Sequence, residues 1–94
     1  MIKVECTADG DPLAFAVTVR DGKGETRHSV TMSRQVCARL AAGAEAPERV
    51  VEAAFRFLLD REPKEAILSR FDITVISRYF PEFERDFPGY LSKL

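Results

Sequence analysis

The sequence has no tryptophan, a single histidine and two cysteines. Cys6 and Cys37 stand far apart and form no CxxC pattern. A disulfide framework needs more cysteines, and a zinc site needs closer ligands. Both are therefore expected as small buried apolar residues in a reducing compartment. No apolar run approaches the ~20 residues of a membrane span. The opening Met1-Ile2-Lys3-Val4-Glu5 alternates apolar with polar residues, unlike a signal peptide. The expected location is the cytoplasm, with no membrane partner. Charge of one sign is also missing, with 14 basic residues against 15 acidic and a net charge of −1. Non-specific nucleic-acid binding rests on a basic patch that releases counterions from phosphates. Here such a patch would have to arise by folding. No GxSxG, HExxH, GxGxxG or phosphate-loop pattern occurs. Gly22-Lys23-Gly24 sits at a hairpin tip, with no helix N-terminus behind it to face a phosphate. No catalytic residue, cofactor or metal ligand is assigned on this basis.

What is present suits one small α+β domain spanning residues 1–94. The chain is 46% apolar with seven phenylalanines, enough for a core. A chain this short buries roughly 65% of the surface that it exposes when unfolded, so its stability margin is thin. Ile2, Val4 and Cys6 alternate with Lys3, Glu5 and Thr7, which predicts a half-buried strand. Asp9-Gly10-Asp11-Pro12 is a turn signal. Leu13, Phe15, Val17 and Val19 then alternate with Ala14, Ala16, Thr18 and Arg20. Asp21-Gly22-Lys23-Gly24 predicts a hairpin turn. On the return strand His28, Val30 and Met32 share one face, and Arg27, Ser29 and Thr31 the other. The expected sheet is a three-stranded antiparallel β-meander with one covered face and one wet face.

Helices are expected to follow, packed on one face of that meander. Ser33 is placed to N-cap a first helix carrying Val36, Cys37, Leu40 and Ala41, with Gly43 just past its end. Pro47 suits the first turn of the main helix, predicted over Pro47–Arg61. Val50, Val51, Ala54, Phe55, Leu58 and Leu59 form its apolar stripe, and Phe57 falls off it. Glu45–Arg49, Glu52–Arg56 and Arg56–Asp60 are opposite-sign pairs four residues apart. Pro63 ends this helix and is expected to start a short third one, with Ala66, Ile67, Leu68 and Phe71 facing inward. Residues 72–80 fit either strand or helix. Asp72 as N-cap, with Ile73, Ile76 and Phe80 inward, favours a helix that ends at Phe80-Pro81. Pro81, Glu82 and Glu84 open a last helix, which Pro88-Gly89 is expected to stop.

The candidate sites follow from these placements. An enzymatic reading would pair His28 with Cys6 or Cys37. The bland alternative has His28 half buried at a strand edge. The carboxylate pairs Asp9/Asp11 and Glu82/Glu84 lie in turns or a first helical turn, where acids are locally favoured. Catalytic carboxylates need one partner desolvated. Tyr79, Phe80, Phe83, Phe87 and Tyr90 concentrate aromatic area near the C-terminus. They are either a lid on the core or a surface for a protein partner or a homodimer. Arg20, Arg27, Ser29, Thr31 and Arg34 form the alternative, a nucleic-acid face.

Two resemblances bear on function. The run from Arg27 to Glu62, strand then short helix then proline-led longer helix, resembles a ribbon-helix-helix DNA-binding unit. That resemblance implies that the outward residues of the strand read bases. The link from Leu40 to Val50 is shorter than in that family. The strand is also expected to pair within a hairpin instead of with a second subunit. Phe55-Arg56-Phe57-Leu58-Leu59-Asp60-Arg61-Glu62-Pro63, Ile67-Leu68-Ser69-Arg70-Phe71-Asp72 and Arg78-Tyr79-Phe80-Pro81-Glu82-Phe83 resemble a group of short bacterial proteins described as hypothetical. This second resemblance implies a bacterial intracellular protein and supplies no activity. The reading that remains is a non-enzymatic protein-interaction or regulatory module.

Overall fold

The computed structural model describes residues 1–41 and 46–94. Gly43 lies outside them, as does Glu45 of the expected Glu45–Arg49 pair. Three antiparallel strands open the chain: β1 (Ile2–Asp9), β2 (Leu13–Asp21) and β3 (Gly24–Met32). The register sets Val17 opposite His28, Phe15 opposite Val30 and Leu13 opposite Met32. The alternation in β2 is fully expressed, since Leu13, Phe15, Val17 and Val19 are all buried. At the hairpin, Asp21 Oδ1 accepts from the Lys23 amide at 2.8 Å. Gly24 takes φ +140°, a conformation that favours glycine.

Helix α1 (Arg34–Ala41) is capped by Ser33, whose hydroxyl accepts from the Val36 amide at 3.1 Å. Helix α2 (Pro47–Leu59) begins on Pro47 as expected and ends two residues before Arg61. Of its pairs four apart, Glu52–Arg56 forms at 3.2 Å. Val50, Val51, Ala54 and Phe55 are completely buried, and so are Ala53 and Phe57. The helix therefore has two buried faces, and the off-stripe phenylalanine marks the second.

Among the described residues the sheet has four strands in the order β1-β2-β3-β4, one more than the expected meander. β4 (Arg70–Asp72) runs parallel to β3, pairing Ser29 with Arg70 and Thr31 with Asp72. Parallel neighbours need a long crossover, which α1 and α2 provide. The helix expected after Pro63 is instead a single 3₁₀ turn, Lys64–Ala66. Ile67 and Phe71 do face inward, whereas Ala66 and Leu68 are exposed. Lys64 is buried, 3% exposed. Its ammonium donates to Asp21 at 2.9 Å and to Glu65 at 2.6 Å, tying this turn to the β2–β3 hairpin.

Residues 73–79 are helical, as the N-cap argument favours. A 3₁₀ turn over Ile73–Val75 runs into helix α3 (Ile76–Tyr79). Asp72 caps it through the Thr74 amide at 3.1 Å, with Ile73 and Ile76 buried. Helix α4 (Phe83–Ser92) overturns the expected stop, since Pro88 lies inside it. Proline removes one helical N–H, a cost set here against the burial of Phe83 and Phe87 on the core. Among the described residues the helices cover the face of the sheet that carries the buried Leu13, Phe15, Val17, Val30 and Met32. Among the described residues, no helix is long and apolar enough to cross a membrane.

Candidate functional site

The single histidine is consumed by the fold. His28 is 4% exposed, and its ring lies 5.3 Å from that of Phe55. Nδ1 donates to the Leu68 carbonyl at 2.8 Å, and Nε2 sits 2.9 Å from the Thr26 hydroxyl. Since a carbonyl only accepts, Nδ1 carries a proton, and in the neutral ring Nε2 accepts from Thr26. Both nitrogens are engaged, and neither partner is a cysteine. The two thiols differ from the expectation that both are buried: Cys37 is buried and Cys6 is exposed. Burial pushes the Cys37 thiol up, beyond what nearby Arg34 restores. Cys37 is expected to react with iodoacetamide near neutral pH far more slowly than a free thiol, as mass spectrometry of timed samples would show.

The carboxylate pairs are tied to arginines. Arg34 donates to Asp9 at 2.7 Å and to the Gly10 carbonyl at 2.9 Å, while its amide donates to Asp11 at 3.1 Å. Glu84 meets Arg39 at 3.0 Å, and Glu82 meets Arg61 at 2.9 Å. The Arg61 bond holds the Glu82 carboxyl below its usual range.

The uncovered face of the sheet is polar and of mixed sign. Arg20, Arg27, Ser29 and Thr31 do share it. Arg34 lies apart, at the start of α1, locking the β1–β2 turn. Glu25 lies between the two arginines, 2.8 Å from Arg20 and 3.2 Å from Arg27. Those bonds, the Arg20 bond foremost, hold Glu25 below its usual pKa. Thr31 donates to Asp72 at 2.6 Å. Arg20, Arg27 and Arg34 are thus each already paired with a carboxylate.

The aromatic segment divides. Phe83 and Phe87 are buried, with ring centroids 5.3 Å apart. Phe57 of α2 is their hub, 4.9 Å from Phe83, 5.9 Å from Phe80 and 5.6 Å from Tyr90. The Arg61 guanidinium lies 3.6 Å from the Phe57 centroid and also bonds Glu82, Asp86 and Tyr90. The Tyr90 hydroxyl donates to Asp60 at 2.6 Å. Phe80 is half-buried, and Tyr79 is 68% exposed. The five residues therefore do not make one surface.

What the sequence did not reveal is a groove at the β4 edge of the molecule. The end of α2, β4 and α3 enclose about 210 Å³ lined by Leu58, Ile67, Phe71, Val75, Ile76 and Phe80. Exposed Leu68 and Tyr79 complete its lining. Among the described residues only Met1, Leu68 and Tyr79 are exposed large hydrophobics, so two of the three belong to this groove. One charged side chain lines it, that of Glu62. Burial raises the Glu62 pKa above 4.5, and among the described residues no cation comes within ion-pair distance of it. The volume is below the ~300–1,000 Å³ of a drug-sized ligand site. It suits one or two apolar side chains. No known family, curated protein or solved structure matches the chain.

Proposed function

We propose that this chain is a non-enzymatic interaction module that holds an apolar segment of a partner protein, bearing a lysine or arginine, in the groove beside Glu62. The observation that carries this reading is an open apolar groove containing an unpaired carboxylate. Water leaves such a groove at a gain of about 25 cal/mol per Å² of apolar surface covered. An uncharged apolar occupant would desolvate Glu62 further, at a cost. An occupant that sets a cation against it offsets that cost and gains a charge-assisted hydrogen bond. Charge complementarity thus selects among apolar partners. The engagement of both His28 nitrogens within the fold supports the non-enzymatic part. The paired Arg20 and Arg27 leave the nucleic-acid alternative with less support than the groove has.

Selection of displayed random peptides on the immobilised protein tests this. Enriched peptides are expected to combine two or more large apolar residues with a lysine or arginine, and to lose binding to Leu68→Glu. No enrichment, or a consensus without a cation, would contradict the reading.

A further inference from the structure

A second surface lies at the opposite edge of the sheet. Among the described residues β1 is the outermost strand and pairs only with β2. Met1 and Arg20 exchange both backbone hydrogen bonds, at 2.6 and 2.8 Å. Hydrogen-bonded pairs alternate along an antiparallel ladder. Met1, Lys3 and Glu5 therefore turn their backbone groups toward β2. Ile2, Val4 and Cys6 turn theirs to the open edge. The same three residues carry the side chains that face the helical layer, and that layer is incomplete over them. Ile2 and Val4 are half-buried and Cys6 is exposed, while their partners Val19, Val17 and Phe15 are buried. The register shifts between Cys6 and Ala8, so the regular part of the edge runs from Ile2 to Cys6 and is centred on Val4.

A long edge strand is usually guarded by charge, most often lysine. Here the guard is Lys3, but Glu5 follows on the same outward face, and the two meet at 3.7 Å within the strand. We infer that β1 pairs antiparallel with β1 of a second copy about a two-fold axis at Val4. In that register Val4 faces its own symmetry mate, and Ile2 faces the partner's Cys6. Each of these pairings exchanges both backbone hydrogen bonds. Lys3 then stands opposite the partner's Glu5, in the closer, non-hydrogen-bonded type of pair. Neighbouring registers lose this match. A two-fold at Lys3 sets lysine against lysine, and one at Glu5 sets glutamate against glutamate. The centre of the regular edge and the centre of charge complementarity coincide at Val4. The occupant is therefore a second copy of this chain, because the pattern reads as its own complement. The interface is small, so association depends on protein concentration. It leaves the groove at the β4 edge free in both copies, and it stands or falls independently of the groove.

Light scattering across a dilution series tests the pairing. The wild-type mass is expected to rise from 10.6 kDa toward twice that value as concentration increases. Lys3→Glu alone and Glu5→Lys alone are each expected to stay monomeric, since each sets like charges across the two-fold. Mixing the two variants restores opposite charges and is expected to recover the dimer, as is the double variant carrying both changes. Both side chains are more than 60% exposed (63% and 62%), so the variants keep the fold, which circular dichroism checks. In an Ile2→Cys variant treated with oxidised glutathione, which takes up the two electrons, the new thiol is expected to form a disulfide with the partner's Cys6. Hydrogen-bonded antiparallel pairs place Cα atoms about 5.5 Å apart, within the disulfide range of about 4.4–6.8 Å. A wild-type mass fixed at 10.6 kDa at every concentration would overturn the inference. So would a dimer that Lys3→Glu leaves intact.

Discussion

Phe57→Ala is expected to remove about 4 kcal/mol of stability, a large share of the roughly 5–15 kcal/mol available to a domain of this kind. Phe57 is completely buried, and three aromatic rings and one guanidinium converge on it. Truncation removes the common partner of Phe80, Phe83, Tyr90 and Arg61 at once. The cavity would lie between α2 and α4, where Phe57 meets Phe83 and Tyr90. Local collapse is thus a poor remedy. For a chain of this length the melting temperature should fall by about 20 °C. Urea unfolding followed by circular dichroism measures the loss directly. A loss below about 1 kcal/mol would show that α4 is not held on α2 through this residue. Phe57→Leu, which keeps most of the volume, should cost distinctly less.

The second large effect is expected at Asp72. Its carboxylate accepts from the Thr31 hydroxyl at 2.6 Å, the Thr74 hydroxyl at 2.6 Å and the Thr74 amide at 3.1 Å. One side chain thereby fastens β4 to β3 and caps the helical turn that follows. Asp72→Ala removes the cap and leaves the Thr31 hydroxyl unpartnered, a combined cost of about 2–3 kcal/mol. The pH dependence has a definite sign. Burial alone would raise the Asp72 pKa, but the three hydrogen bonds outweigh it and hold the group below 3.8. A depressed carboxyl contributes stability above its unfolded pKa and loses it as pH falls through the folded value. The wild type should therefore weaken as pH drops below about 4. The difference between wild type and Asp72→Ala should shrink over the same interval. A difference that stays constant from neutral pH into that acid range would contradict the role given to the carboxylate.

These two residues also show which parts of the fold were legible in the sequence. The alternation of Leu13, Phe15, Val17 and Val19 extends over a long strand with one covered face, so its period was unmistakable. The stripe on α2 was equally plain. Phe57 was visible as an exception to that stripe, and a completely buried exception means a second layer, which α4 provides. β4 was not legible, because a three-residue strand with only Phe71 turned inward shows no period. Pro88 read as a stop because local propensity favours one. Phe83 and Phe87 outweigh it through contacts with a helix distant in sequence. The same gap hid the groove. Its walls come from the end of α2, from β4 and from α3, and only the parallel strand brings them together. Glu62 carries no local signal of its place in the groove, because the apolar residues beside it come from other elements. Lys64, held between Asp21 and Glu65, was invisible for the same reason: its partner Asp21 is reached only through tertiary contact.

Glu62 also carries the sharpest test of the groove. Burial raises its pKa, so the ionised form is an expense to the free protein at neutral pH. Glu62→Gln relieves that expense, and the variant should fold at least as well as the wild type. NMR titration with hexylammonium and with 1-hexanol separates the charge from the apolar chain. Hexylammonium is expected to shift the resonances of Leu68, Phe71 and Tyr79 at lower concentration than 1-hexanol does. That preference should vanish in Glu62→Gln, and in the wild type as pH falls through the raised pKa of Glu62. Equal responses to the two probes, or shifts that fall away from these residues, would contradict the assignment of this groove as a site for a cation-bearing apolar segment.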